Sequence, residues 1–166
     1  MDVIENKIFC VDLPYPKLAV NKKSREDARI IFDDYASGIS EFTAITQYTI
    51  ADIATENEKI AGVFRGISVV EMKHFQKLGE VLMMLGAEPK LESGTNRLWR
   101  SNFVPYAEST KNRIKLAIKS EYDAIDQYQK HIRRIKNDSI KRLLERIVID
   151  ENYHIGIFSE LLKEFY

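Results

Sequence analysis

Apolar positions recur every three or four residues along most of this chain, in stripes that repeat one another. Ile140, Leu144, Ile147, Glu151, His154, Phe158 and Leu161 share one helical face, and Ile60, Phe64, Ile67, Glu71, His74, Leu78 and Leu82 form the same series earlier. Phe32, Tyr35, Glu41, Ile45 and Tyr48 mark a further helix, and Ile114, Ile118, Glu121, Ile125 and Tyr128 a fourth. No alternating strand pattern of comparable length competes. The periodicity predicts four long helices, at residues 24–54, 58–85, 109–135 and 139–164. Ser24 and Ser139 suit N-caps, Gly86 suits a helix C-terminus, and Pro89 blocks continuation.

The stripes belong to an internal repeat. SEFTAITQY from Ser40 matches SEYDAIDQY from Ser120, and EMKHFQKLGEVL from Glu71 matches ENYHIGIFSELL from Glu151, both at an offset of 80 residues. The same offset pairs Asn57 with Asn137, Ile67 with Ile147 and Glu80 with Glu160. Two copies of one helical hairpin follow, joined by a long crossover between Gly86 and Ser109 that contains Trp99 and Pro105. The expected fold is all-α: a four-helix bundle over residues 24–166, preceded by an extended arm, residues 1–23, with Pro14 and Pro16.

Four carboxylates interrupt the apolar stripes: Glu41, Glu71, Glu121 and Glu151. Burying a carboxylate costs several kcal/mol, and four together repel one another. Two divalent cations would neutralise them. Glu41 and Glu71 are equidistant from residue 56, and Glu121 and Glu151 from residue 136, so each pair meets across its own hairpin turn. A residue about 15 positions from a turn lies roughly 22 Å along the helix, in mid-bundle. Two of the three histidines, His74 and His154, each follow a glutamate as ExxH on the same face. Carboxylate oxygen and imidazole nitrogen suit iron first and manganese second, at sites with open positions; zinc favours fewer, tetrahedral ligands.

Composition removes several other classes. Lys plus Arg is 25 and Asp plus Glu is 25, so no basic field attracts nucleic acid or an anionic membrane. A single cysteine, Cys10, allows neither an internal disulfide nor a cysteine-only metal site. No apolar run is long enough to span a membrane, and the first residues lack the apolar stretch of a signal peptide, so a cytoplasmic protein is expected.

One glutamate from each of two helices plus ExxH from each of the others resembles the ferritin-like di-iron and di-manganese carboxylate superfamily. The resemblance covers residues 24–166 and implies that Glu41, Glu71, His74, Glu121, Glu151 and His154 are the metal ligands. Glu71 and Glu151 would bridge, and Glu41 and Glu121 would be terminal. EMKH at 71–74 looks like the second-helix motif of bacterioferritins, and WRSNFVPY in the crossover looks like small rubrerythrin- and manganese-catalase-related proteins. Rubrerythrins usually carry a further glutamate where this chain has Ala124, and a rubredoxin iron that one cysteine cannot hold. Met72 stands where bacterioferritins place a haem ligand; it is read as packing, and no haem is expected.

Around the site, Tyr48 and Tyr128 follow Glu41 and Glu121 by seven residues, to bond a ligand carboxylate or to serve as core aromatics. Ala44 and Ala124 leave space beside the metals. Asp150, four before His154, either orients an imidazole or faces solvent; His131 is read as a surface residue. No catalytic residue beyond the metal ligands is singled out. The leading expectation is a di-metal oxidoreductase acting on dioxygen or hydrogen peroxide, of ferroxidase or peroxidase type, with an external electron donor and a homo-oligomeric assembly, dimer or larger. Manganese-dependent peroxide dismutation, an iron-storage or structural ferritin-like protein, and a metal-free helical module are the alternatives.

Overall fold

A computed structural model describes residues 9–166. Residues 1–8 of the expected arm lie outside the described residues. The helices are α1 (Arg25–Ala36), α2 (Glu41–Ile53), α3 (Glu58–Met84), α4 (Thr110–Arg134) and α5 (Asp138–Lys163), with a short 3₁₀ turn at Ser101–Phe103. No strand forms among the described residues; one isolated bridge joins Glu92 to Leu98 within the crossover. α2 packs along α3 and α4 along α5, the two expected hairpins.

The first expected helix, 24–54, is broken in two. Serine side chains compete with the helical ladder between Ala36 and Glu41. Ser40 Oγ and Thr43 Oγ1 both donate to the Ser37 carbonyl, at 2.8 and 2.7 Å, and Ser40 Oγ accepts from Thr43 N at 3.2 Å. Ser37 and Ser40 are both extended, and Ser40 becomes the N-cap of a new helix. Glu41 is therefore the first residue of α2, where the helix dipole favours an anion. α1 still packs against the far half of α3, where Ile31, Phe32 and Tyr35 join Leu78, Val81 and Leu82.

The caps differ in one respect. Ser24 caps α1 as expected, accepting from Asp27 N. Ser139 is not the cap of α5. Asn137 takes that place, accepting from Ser139 N and Ile140 N, as its repeat partner Asn57 does from Ile60 N at α3. Ser139 Oγ instead grips the arm, bonding both N and O of Ala19 at 3.0 Å. Gly86, at φ +84°, ends α3 in the left-handed conformation its missing Cβ permits.

Two apolar clusters fill the bundle at opposite ends. One gathers Ile31, Leu78, Leu82, Tyr128, Ile140 and Leu144; the other gathers Tyr48, Phe64, Ile67, Ile114 and Phe158. The buried carboxylates lie in the layer between them. Ser40→Ala is expected to cost about 1 kcal/mol through loss of the α2 cap. A denaturant midpoint lowered at unchanged m-value would show it; an unchanged midpoint would mean that the break does not depend on Ser40.

Candidate metal centre

All six residues of the repeated Glu and ExxH pattern converge in mid-bundle, each at most 3% exposed. They form two groups whose ligand atoms lie within 4.8 Å of one another: Glu41, Glu71, His74 and Glu151, and Glu71, Glu121, Glu151 and His154. Glu71 and Glu151 belong to both. Glu71 reaches Nδ1 of His74 at 3.0 Å and Nδ1 of His154 at 3.1 Å; Glu151 reaches the same atoms at 3.3 and 3.0 Å. Glu41 lies 3.6 Å from His74 Nδ1 and Glu121 3.6 Å from His154 Nδ1. The arrangement is two-fold in character, with shared carboxylates in the middle and one glutamate at each end.

These residues suit a pair of cations. Glu71 Oε1, Glu151 Oε2 and His154 Nδ1 are buried, face one another and make no hydrogen bond. Three orphaned polar atoms pointed at a common centre are costly unless a cation takes their lone pairs. Four carboxylates also match the charge of two divalent ions. Without ions, protons must balance the site. Burial, reinforced by Glu151 and Glu71, pushes the Glu121 carboxyl up to about 8. Burial also lifts Glu41 well above the usual carboxylate range. Burial works the same way on Glu71, but the two imidazoles outweigh it and hold that carboxyl below the usual range. Burial disfavours charge on His74 and His154, yet the surrounding carboxylates prevail and raise both.

The outer nitrogens of the two imidazoles are held differently. His74 Nε2 meets Asp150 Oδ2 at 3.1 Å, whereas His154 Nε2 meets the backbone carbonyl of Phe9 at 2.9 Å. Asp150 therefore serves His74 across the bundle rather than His154 on its own helix, and it is fully buried rather than solvated. It also accepts from Val11 N and Tyr15 Oη and forms an ion pair with Arg146 at 2.8 Å. Arg146, Phe9, Val11 and Tyr15 were not singled out by the sequence pattern. The Arg146–Asp150 pair at i, i+4 was the available signal.

The two tyrosines cross between the repeats. Tyr48 Oη donates to Glu121 at 2.6 Å, and Tyr128 Oη donates to Glu41. Burial, then the adjacent glutamates, raises both phenols well above their ordinary value, so they stay protonated donors. Beside them a cavity of about 330 Å³ opens between α2 and α4 and reaches all four glutamates. Ala44, Ala124, Leu116, Phe103 and Pro105 line it, with Lys119 and Asp123 also on its wall. His131 is not a surface residue: it is buried, and its Nδ1 lies 2.8 Å from both carboxylate oxygens of Asp34, itself on the cavity wall. His131 follows Tyr128 by three on the same stripe, which was its overlooked signal. Met72 is 46% exposed on α3.

A family model described as rubrerythrin matches residues 35–162. No curated protein matches the sequence. Among solved structures, a manganese catalase from Anabaena superposes with a TM-score of 0.85 at 17% identity, over 90% of this chain and 78% of that one. A Rhodobacter capsulatus bacterioferritin, solved with a metal-free dinuclear site and haem iron, gives 0.73 at 21% identity over 87% and 88%. Mycobacterium tuberculosis bacterioferritin gives 0.69 at 24% identity over 86% and 87%. These likenesses show the ferritin-like fold.

Groups raised above their ordinary values carry protons that an incoming cation must displace. Metal binding is thus expected to release protons near neutral pH, and affinity to rise as the pH climbs toward about 8, where the Glu121 carboxyl gives up its proton. Calorimetry in buffers of differing ionisation enthalpy measures the release. Binding without proton release would contradict this charge balance.

Proposed function

The chain belongs to the rubrerythrin family, and on that premise we propose that it is a di-metal oxidoreductase acting on hydrogen peroxide or dioxygen. The observation that carries the reading is the cavity that leads from outside, between α2 and α4, to all four buried glutamates. Glu41 and His74 would hold one ion and Glu121 and His154 the other, with Glu71 and Glu151 shared, as their contacts with both imidazoles suggest. A redox-active pair there supplies two-electron exchange with a small oxidant. Iron is the first candidate for that pair and manganese the second.

The protein's own part is positioning and water control. Tyr48 and Tyr128 tether the two end carboxylates and keep their protons. Ala44 and Ala124 keep the approach open where larger side chains would fill it. On the opposite side the outer imidazole nitrogens are occupied by Asp150 and Phe9, so the small molecule meets the glutamates and not the histidines. An external electron donor and a homo-oligomeric state belong to the same proposal. No helix among the described residues is long and apolar enough to cross a membrane.

Protein purified from unsupplemented cells is expected to carry iron or manganese at about two ions per chain by elemental analysis. The loaded protein should then consume peroxide. Consumption that depends on an added reductant indicates reduction to water; oxygen evolution without one indicates dismutation. No peroxide or dioxygen turnover by protein loaded with either metal would sink the proposal. Glu71→Gln or Glu151→Gln should abolish binding of both ions, whereas Glu121→Gln should spare the ion at Glu41 and His74. Equal losses from all three would refute the shared and terminal roles.

A further inference from the structure

We propose that residues 9–15 form a latch that governs one of the two metal positions, the one at His154, by supplying its imidazole with the Phe9 carbonyl. This rests on the di-metal reading above.

The two hairpins repeat at an offset of 80, but not behind the histidines. Arg146 and Asp150 of α5 correspond to Gly66 and Val70 of α3. On one side the bundle itself provides an acceptor for the imidazole, Asp150 to His74 Nε2 at 3.1 Å. On the other, Val70 offers none, and the acceptor for His154 Nε2 comes from outside the bundle, the carbonyl of Phe9 at 2.9 Å. Gly66 makes this possible. A Cβ at that position would lie 2.2 Å from the Phe9 ring, so any side chain there would push that ring out of its seat and loosen the anchor of the segment. The Phe9 ring is buried with Ile60, Phe64 and Ile67 in the adjoining apolar cluster.

The same Arg146–Asp150 pair fastens the segment. Asp150 Oδ1 accepts from Val11 N at 2.8 Å and Asp150 Oδ2 from Tyr15 Oη at 2.7 Å. Arg146 Nη2 donates to the carbonyls of Val11 and Leu13 at 2.8 and 2.9 Å. One half of the repeat thus orients its partner's histidine directly, and holds the segment that orients its own.

The consequence follows from imidazole chemistry. A neutral imidazole that offers Nδ1 to a cation carries its proton on Nε2, and a buried N–H needs an acceptor. Withdrawing the Phe9 carbonyl leaves that proton unpaired and favours the tautomer protonated on Nδ1, the atom that faces Glu71 and Glu151. His74, held by Asp150, keeps its orientation. Phe9 is therefore a positioning residue for one ion alone, and by linkage an ion at His154 favours the docked segment.

The test uses the full chain and Mn(II) in chelator competition. Gly66→Ala is expected to weaken one of two bound ions about 10- to 100-fold and leave the other near its wild-type affinity. Phe9→Ala, which removes the anchor without adding bulk, should shift the same ion in the same direction if Gly66→Ala does not fold. Gly62→Ala, on the same helix with open space around its Cβ, should change neither ion. In wild-type protein Mn(II) should slow hydrogen exchange in residues 9–15, and in Gly66→Ala it should not. Two ions at wild-type affinity in Gly66→Ala and Phe9→Ala, with exchange showing the segment displaced, would overturn the latch alone. Failure of the wild-type chain to bind two ions would overturn the di-metal reading and the latch with it.

Discussion

Four carboxylates held in one buried layer are the constraint on which the rest of this structure depends. No helix bundle of ordinary composition tolerates that much like charge away from water without cations or protons to balance it. The two apolar clusters lie on either side of the layer and hold the helices that carry it. Tyrosines from each cluster turn their hydroxyls inward and bind the end carboxylates of the opposite repeat, so hydrophobic packing and charge placement are mechanically joined.

The internal repeat makes such a layer economical to build, since one hairpin specifies half of it. Its departures from symmetry are as informative as its matches. Glu41 opens a helix whereas Glu121 lies inside one, because serines at 37 and 40 end α1 early. Asp150 has no counterpart at Val70, and a segment distant in sequence fills the gap. Two positions that look equivalent in the repeat are therefore built from different materials.

Most of the bundle and the convergence of all six Glu and His side chains were legible in the sequence. The reason is physical: a buried charged residue on an apolar stripe violates the helix pattern, and a repeat shows the violation twice. What was not legible depended on hydrogen bonds that periodicity does not register. The break before Glu41 arises from Ser40 and Thr43 bonding the Ser37 carbonyl, a choice that apolar spacing cannot reveal. Asn137 rather than Ser139 caps α5, although its alignment with Asn57 pointed that way. His131 was misplaced because it had no repeat partner, and Asp34, which holds it, lies 97 residues away. Backbone groups such as the Phe9 carbonyl leave no sequence signature at all.

The cavity wall draws on two kinds of structure. Most of it is helix, but Gly38, Ile39 and Ser40 come from the break before α2, and Phe103 and Pro105 come from the crossover between the hairpins. Substitutions in that connection can widen, narrow or recharge the cavity while the six buried donors, all carried on helices, keep their register. Selection for a different small molecule therefore has a place to act that is separable from selection for the centre itself. The crossover, needed topologically to start the second hairpin, is also where this architecture is free to diversify.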